Sequence, residues 1–575
     1  MRRMYAFRHR LGSAAFAALA SSRRWLQRRP QASVETIVVA AASFWLLTAN
    51  GPFLAAALKG RAPSDASTWT FAVALCAIVL AAHVLILGLV CNRWTVKPLL
   101  GVLAVGTAAA AYWMGSFGVY LDPSMLRNVL RTDVAEAGEL LSPGLALHLA
   151  LYAGVPLLLL ARVQVVRRPI GRALVRRLSL LLAALAVALA ALTAVFQPLS
   201  SLTRNHREVR YLVTPANYLW SAAAVLASDA HAAQAPRRTI GADAAPGPSW
   251  AARKRPLVVV LVVGETARAA NWGLSGYARQ TTPRLAALPV VNFPRVDACG
   301  TNTEVSLPCM FAPVGRRDYD AERIRGQESL LHVAARAGAA VHWRDNQSGC
   351  KGVCDGLPSE TAGGAPCRDG RCLDEALVSD LDQRLDRLDR PGAATGGAST
   401  QLWVLHLLGN HGPSYFRRHP PGFARFQPEC VDDELRSCTQ EQIVNAYDNA
   451  LLYTDHVLAT AIERLAAHAG RVDSALLFVS DHGESLGEKG LFLHGVPHAI
   501  APQEQTRVPM VFWASDGFEA ASGLPAGCLM PALQRQAARP QAHDALFHTL
   551  LGLLDIHTAL HEPRLDLTSA CRAPH

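Results

Sequence analysis

No C-x₂-C pair occurs among the 12 cysteines of this 575-residue chain, and no acidic residue precedes Glu35. An internal repeat and a nucleic-acid-binding motif are also missing. The first absence argues against paired zinc ribbons, whose ligands come at that short spacing. The last removes the usual explanation for a net charge of +11. Much of the arginine excess instead flanks apolar runs in the first 180 residues, where it marks cytoplasmic loops. The acid-free start makes a poor signal peptide, because the first long apolar run begins only near Thr36. It reads as a cytoplasmic basic arm.

What is present divides the chain in two. Length alone suggests roughly three to four domain equivalents. Apolar runs separated by Arg-rich patches fill the sequence before residue 197, and a mixed, charged, globular sequence follows residue 253. The mean hydropathy of +0.16 averages these halves. Five runs, near 36–58, 70–90, 99–120, 144–161 and 178–196, approach the length needed to cross a ~30 Å hydrocarbon core as helices. The fourth is short and carries His148.

Basic residues fall before the first run, between runs two and three (Arg93, Lys97), and between runs four and five (Arg162, Arg167, Arg168, Arg172, Arg176, Arg177). That puts the N-terminus inside, and five spans place everything after Phe196 outside. The cysteines agree independently. Cys76 and Cys91 lie in apolar runs, whereas eight others form close pairs between residues 299 and 438, as expected for local disulfides in an oxidising compartment. Between runs three and four, Met125, Val129, Val134 and Leu140 have the spacing of an amphipathic surface helix, either a plain loop helix or part of a lipid-access groove. Pro215 breaks the stretch 201–228, and 232–249 is an Ala- and Pro-rich linker. From Arg255 onward, short apolar runs alternate with helical patterns, which predicts an α/β fold with a largely parallel sheet. The expected layout is a cytoplasmic arm (1–35), a five-helix transmembrane domain (36–200), a bridging helix and linker (201–254), a catalytic domain (255–560) and a tail (561–575).

Three apolar runs end in residues suited to metal and phosphate chemistry. The run 256–263 leads into Gly264-Glu265-Thr266-Ala267-Arg268, and ligands bind beyond the carboxyl ends of strands in such sheets. Taken alone, Glu265 would be a helix-start carboxylate. The run 475–479 leads into Ser480-Asp481-His482-Gly483-Glu484, with His494 and His498 following a Gly-rich turn. Asp and neutral His both ligate zinc, and this density of acids and histidines marks a metal site. The run 402–407 leads into Leu408-Gly409-Asn410-His411-Gly412-Pro413, a tight loop whose His suits a phosphate donor or a second-metal ligand. A nucleophile is sought in Cys299-Gly300-Thr301-Asn302-Thr303-Glu304, a Cys-bracketed stretch that could present a hydroxyl at a helix start. Thr301, Thr303, Ser306 and Thr266 all remain open on these grounds. Any of them would need metal activation to attack.

These motifs, together with Pro308-Cys309-Met310-Phe311, Asn445-Ala446-Tyr447-Asp448-Asn449 and Ser485, resemble the phosphoethanolamine transferases that modify lipid A, including the mobile colistin-resistance enzymes, within the alkaline phosphatase/sulfatase superfamily. The resemblance spans nearly the whole chain except the basic arm and the tail with Cys571. It implies five transmembrane helices and a sulfatase-like α/β catalytic domain. It implies a zinc held by Glu265, Thr303, Asp481 and His482. Thr303 is the nucleophile, being the second Thr after the Cys-Gly pair. His411 and His494 match histidines tied to substrate phosphate or a second zinc, with Glu484 beside them. Lys351 falls in a region of substrate contact, and 445–448 belongs to a packed helix. Four disulfides are implied, joining Cys299 to Cys309, Cys350 to Cys354, Cys367 to Cys372, and Cys430 to Cys438. No partner is implied for Cys528. The implied reaction moves phosphoethanolamine from phosphatidylethanolamine to lipid A or the lipopolysaccharide core, in a monomeric, multi-pass protein of the bacterial inner membrane with a periplasmic catalytic domain. Polymyxin resistance would follow. Another enzyme on the same scaffold, a phosphoglycerol transferase, sulfatase or phosphodiesterase, is the nearer alternative and a non-enzymatic membrane sensor the more distant one.

Overall fold

The apolar runs become helices started by the polar residues before them. A computed structural model describes residues 29–132, 134–234, 236–364, 367–368, 371–388 and 399–572, so the expected basic arm lies almost wholly outside the described residues. Helix α1 (Val34–Ala49) begins where Ser33 Oγ accepts from the Thr36 amide at 3.2 Å. It bends by 60° into α2 (Gly51–Ala57). Asn50 secures the bend. Its Nδ2 donates to the carbonyls of Trp45 (3.0 Å) and Thr214 (2.8 Å), and its Oδ1 accepts from the Thr214 amide (3.0 Å). Then come α3 (Ala66–Val90), α4 (Val96–Phe117), α5 (Pro123–Arg131), α6 (Val134–Glu139) and α7 (Pro143–Leu149). A π turn over Ala150–Gly154 joins α7 to α8 (Val155–Arg162), followed by α9 (Ile170–Ala194), α10 (Phe196–Asn205) and α11 (Ala216–Gln234). Among the described residues, four helical stretches are long and apolar enough to cross a membrane (Ala66–Val90, Val96–Phe117, Pro143–Arg162 and Ile170–Ala194), or five if the bent pair is counted as one span.

Contacts divide the chain into two units, Met1–Gly115 with Pro143–Asn217, and Ser116–Ser142 with Tyr218–His575. Helices α5 and α6, expected as one amphipathic stretch, fold with the second unit. Asp122 caps α5, accepting from the Met125 amide at 2.8 Å.

The second unit is built on an eight-stranded sheet. Its strands are β1 (Leu257–Gly264), β2 (Val291–Asp297), β3 (Ala340–Asp345), β4 (Ser359–Thr361), β5 (Thr400–His406), β6 (Asp473–Ser480), β7 (Arg507–Ala514) and β8 (Gln541–Ala542), in the order β8-β2-β7-β6-β1-β5-β3-β4. Strands β6, β1, β5, β3 and β4 run parallel, and β7 runs antiparallel to both neighbours. The departure from the parallel expectation has a simple cause. The segment from β6 to β7 contains no crossover helix, so the chain can only turn back.

All eight residues of β1 are buried. Leu257, Val259, Leu261 and Val263 pack on one face with Leu307 of α12 (Thr303–Met310). Val258, Val260 and Val262 pack on the other with Ile443, Tyr447 and Leu451 of α13 (Gln440–Ala467). Each such side chain contributes about 1.5–3 kcal/mol by burial, which makes the strand ends a firm platform.

The expected linker is partly built into this unit. Ala245–Pro246 pairs with Ile556–His557, and Asp243 accepts from Thr558 Oγ1 at 2.8 Å. Composition alone missed these long-range partners.

All four implied disulfides are present. Cys299 is bonded to Cys309 and Cys350 to Cys354. Cys367 is bonded to Cys372 and Cys430 to Cys438. A fifth bridge, which the sequence did not reveal, joins Cys528 to Cys571 across 43 residues and staples the tail. Cys76 and Cys91 are free. Replacing Cys528 and Cys571 by serine is expected to cost about 2–4 kcal/mol of stability, since the bridge closes a long loop. Chemical denaturation of the two proteins measures this, and an unchanged midpoint would count against it.

Candidate metal and nucleophile site

Three parallel strands deliver their loops to one point. Strand β1 ends at Gly264, where an added Cβ would lie 2.6 Å from the Phe478 ring, so only glycine lets β6 approach this closely. Glu265 follows. Strand β6 ends at Ser480 and presents Asp481 and His482. All three side chains are fully buried, and one ligand atom from each lies within 4.8 Å of the others. His482 Nδ1 donates to the Gly483 carbonyl at 2.9 Å, which turns Nε2 toward the carboxylates. Nε2 lies 3.3 Å from Glu265 Oε1 and 3.4 Å from Asp481 Oδ2. Asp481 Oδ1 accepts from the amides of His482 (2.7 Å) and Thr266 (3.3 Å), whereas Oδ2 is buried with no hydrogen-bond donor.

Burial and the neighbouring charges act together on these three groups. Burial opposes charge on Glu265, but the His482 hydrogen bond overcomes it and holds that carboxyl at about 2. At Asp481 burial and the neighbouring Glu265 carboxylate act together and push it up to about 7. Burial disfavours protonated His482, yet Asp481 and Glu265 raise it to about 10. Two carboxylates, one imidazole and an undonated buried oxygen fit a divalent ion with mixed N/O ligands.

The hydroxyls left open by the sequence now separate. Thr301 Oγ1 donates to the Val496 carbonyl at 2.7 Å, and Ser306 Oγ donates to the Asp481 carbonyl. Thr303 Oγ1 instead lies 3.1 Å from Glu265 Oε2 and 3.5 Å from His482 Nε2. It sits at the first position of α12, where Asn302 caps the helix by accepting from the Val305 amide at 3.0 Å. Thr266 takes a left-handed φ of 53° and gives its carbonyl to Tyr447 Oη at 2.7 Å.

The remaining expected residues form a second ring. The His494 ring lies 4.5 Å from His482, tilted, and 5.3 Å from His411, edge to face, centroid to centroid, and its Nδ1 is 3.3 Å from Glu484. Burial pushes Glu484 up to about 8. The His411 loop is pinned by Asp374, which accepts from the amides of Leu408 and Gly409, both at 2.8 Å. Gly409 is required there, because its φ is +56° and a Cβ would meet the Glu265 carbonyl at 2.6 Å. Lys351, also at positive φ (48°), donates to Ser348 Oγ at 2.6 Å and lies 3.6 Å from Glu304, the residue after Thr303. His498 lies apart, bonded to the Ala298 carbonyl at 3.2 Å. The segment 445–448 sits on α13, where Asp448 accepts from Asn271 and Tyr277.

Known families match both parts of the chain. Residues 79–230 match the family described as phosphoethanolamine transferase EptA/EptB, and residues 258–556 match the sulfatase family. Phosphoethanolamine transferase EptA of Escherichia coli K12 is 38% identical over 489 residues, 83% of this chain and 86% of that protein. The chain belongs to the phosphoethanolamine transferase family. Phosphatidylethanolamine transferase Mcr-1 of Escherichia coli is 36% identical over 92% of this chain and 96% of its own. The integral membrane protein lipooligosaccharide phosphoethanolamine transferase A of Neisseria meningitidis superposes with a TM-score of 0.87 at 34% identity, covering 95% of this chain and all of that one. A family enzyme of this kind combines membrane helices with a sulfatase-type catalytic fold, as this chain does.

Reading the sequence missed His543. It is buried, and burial lowers it to about 3, so it is neutral. Its Nε2 donates to the Ser480 carbonyl at 2.9 Å and its Nδ1 accepts from the Cys299 amide at 3.1 Å. One ring thus ties the loop leading to Thr303 to the strand end that carries Asp481. No local pattern marks such a histidine; only its long-range bonds do. His543→Ala is expected to weaken metal retention roughly 10- to 100-fold, as loss of supporting contacts does. Metal titration of folded protein checks this.

Proposed function

We propose that this protein transfers phosphoethanolamine from phosphatidylethanolamine to lipid A or another part of a lipopolysaccharide, through a covalent phosphoethanolamine–Thr303 intermediate. The observation that carries the reading is the Thr303 hydroxyl placed 3.1 Å from Glu265 and 3.5 Å from His482, inside a buried cluster of two carboxylates and an imidazole. The relatives support both ends of the transfer, since one is named for phosphatidylethanolamine and another for lipooligosaccharide.

Glu265, Asp481 and His482, with Thr303, would hold one Zn²⁺. Bound there, zinc supplies Lewis acidity that lowers the pKa of a coordinated hydroxyl. The chain's own residues do the rest. Glu265 accepts the Thr303 hydrogen bond and orients the hydroxyl. Oγ1 attacks phosphorus, the bond to the diacylglycerol oxygen breaks, and diacylglycerol leaves with a proton. His411 and His494 donate to the phosphoryl oxygens as charge builds on them. An acceptor phosphate or sugar hydroxyl then attacks the same phosphorus, the phosphorus–Oγ1 bond breaks, and Thr303 regains as its hydroxyl proton the one the acceptor gives up. Both substrates are lipids, so membrane helices lower the positional cost of each encounter. The catalytic unit faces the periplasm and the N-terminus the cytoplasm, a reading supported by the arginine distribution and the disulfides.

The test is mass spectrometry of the peptide containing Thr303 after incubation with phosphatidylethanolamine, followed by addition of lipid A. A phosphoethanolamine adduct that forms and then disappears with modification of lipid A is the expected result. An adduct bearing phosphoglycerol would transfer the reading to a different headgroup.

A further inference from the structure

A cavity of about 1100 Å³ opens on the flank of the nucleophile helix, within the second unit. Its walls include Arg131 of α5, Ala227 of α11, Pro308 and Phe311 after the nucleophile, and Arg325 and Lys351. One end is cationic for a specific reason. Glu304, fully buried and next to Thr303, is shared by three cations. Arg131 lies 3.3 Å and Arg325 3.2 Å from its Oε2, and Lys351 3.6 Å from its Oε1. Asp229 is shared by Arg127 and Arg131, each at 3.2 Å. Four cations therefore meet two carboxylates. The other lining charges pair off, Arg237 with Asp355 (2.7 Å) and Glu328 with Arg336 outside the lining (2.6 Å), and Glu322 is exposed. Part of the wall is small and apolar, from Ala224, Ala227, Pro308 and Ala312.

We infer that this cavity takes a second anionic group of the acceptor glycolipid, a phosphate or acidic sugar, against Arg131 and Arg325. The inference rests on the proposed transfer reaction. The argument for acceptor over donor is stoichiometric. A phosphatidylethanolamine donor has one phosphate, and the reaction requires that phosphate at Thr303. The cavity's lining contains neither Thr303 nor Glu265, Asp481 or His482, so a group held against Arg131 and Arg325 is not the phosphate at Thr303. An anion bound there belongs to a molecule with more than one anionic group. Guanidinium groups suit such a site because they bind phosphate and carboxylate through paired hydrogen bonds. The small apolar wall then meets the sugar or acyl part of an amphiphile.

The experiment separates the two half-reactions in the full chain in detergent. Adduct formation on Thr303 is timed with phosphatidylethanolamine. The adduct is then titrated with bisphosphorylated or monophosphorylated lipid A. Two variants are used, Arg325→Gln, which removes a cation, and Ala227→Trp, which fills the cavity from the opposite wall and removes no charge. Each is expected to raise the half-saturating concentration of bisphosphorylated acceptor by about tenfold or more, Arg325→Gln by loss of a charged hydrogen bond and Ala227→Trp by steric exclusion, and to do so far more than it slows adduct formation. The monophosphorylated acceptor should be less affected by Arg325→Gln. Equal loss in both half-reactions for both variants would show a structural role and overturn the inference, as would acceptor titrations unchanged from the wild type. Loss confined to adduct formation would assign the cavity to the donor. Should Arg325→Gln fail to fold, the Ala227→Trp titration decides alone. If the wild-type protein forms no adduct, or its adduct reacts with no glycolipid, the proposed function itself fails, an outcome visible before any variant is made.

Discussion

Thr303→Ala is expected to lower headgroup transfer by at least about 10³-fold, the scale seen when a nucleophile is removed from a site whose other groups remain. The fold should persist. Thr303 contributes one hydroxyl to a site anchored by β1 and β6, and α12 keeps its Asn302 cap and its packing through Leu307 and Phe311. Metal should also persist, because Glu265, Asp481 and His482 remain as three buried ligands. The measurements are transfer rate, melting temperature and zinc content on one preparation. Lost transfer with intact melting and metal assigns the hydroxyl. Transfer at the normal rate would return Thr301, Ser306 and Thr266 to contention. Conversion to serine, which keeps the oxygen, should restore part of the rate.

Chelation should act in the opposite pattern, removing activity and stability together. Without a cation, Glu265 and Asp481 are two carboxyls buried beside each other, and Asp481 is driven up to about 7 by burial and that neighbour. A bound divalent ion relieves both costs, so it stabilises the folded chain by about 4 kcal/mol when present at a thousand times its dissociation constant. Protein stripped with EDTA is expected to lose nearly all transfer and to melt several degrees lower, and added zinc should restore both. Asp481→Ala protein should show the same losses without recovery. Full activity in rigorously metal-free protein would eliminate the zinc assignment. Both experiments are independent of the acceptor, so they bear on the chemistry whichever glycolipid is modified.

The catalytic strands were readable because a central parallel strand has no polar face. The run at 256–263 had to be buried on both sides, and β1 is. Glu265 and Asp481-His482 were readable for a related reason, since polar residues directly after such a strand have only the sheet's carboxyl end to occupy. The antiparallel β7 was not readable, because apolar content carries no strand direction. Nor was the embedding of 245–246, whose partner strand lies more than 300 residues away. His543 and Asp374 escaped for the same reason. Each is an isolated polar residue whose role exists only in the bonds it makes to distant loops.

By itself the sequence determined the division into an apolar helical half and an α/β half, the close cysteine pairs, and the presence of acids and histidines at the strand ends. All of these follow from composition, spacing and short-range chemistry along the chain. A pair such as Cys350 and Cys354, or Cys430 and Cys438, is brought together by a single local turn. Only the tertiary structure decided which hydroxyl faces the carboxylates, because Thr301, Thr303 and Ser306 are chemically alike and differ in what the fold places opposite them. It also decided that Cys528 meets Cys571 and that α5 folds with the catalytic unit, bringing Arg131 to Glu304. These are long-range encounters, set by how strands and helices pack rather than by neighbours in sequence.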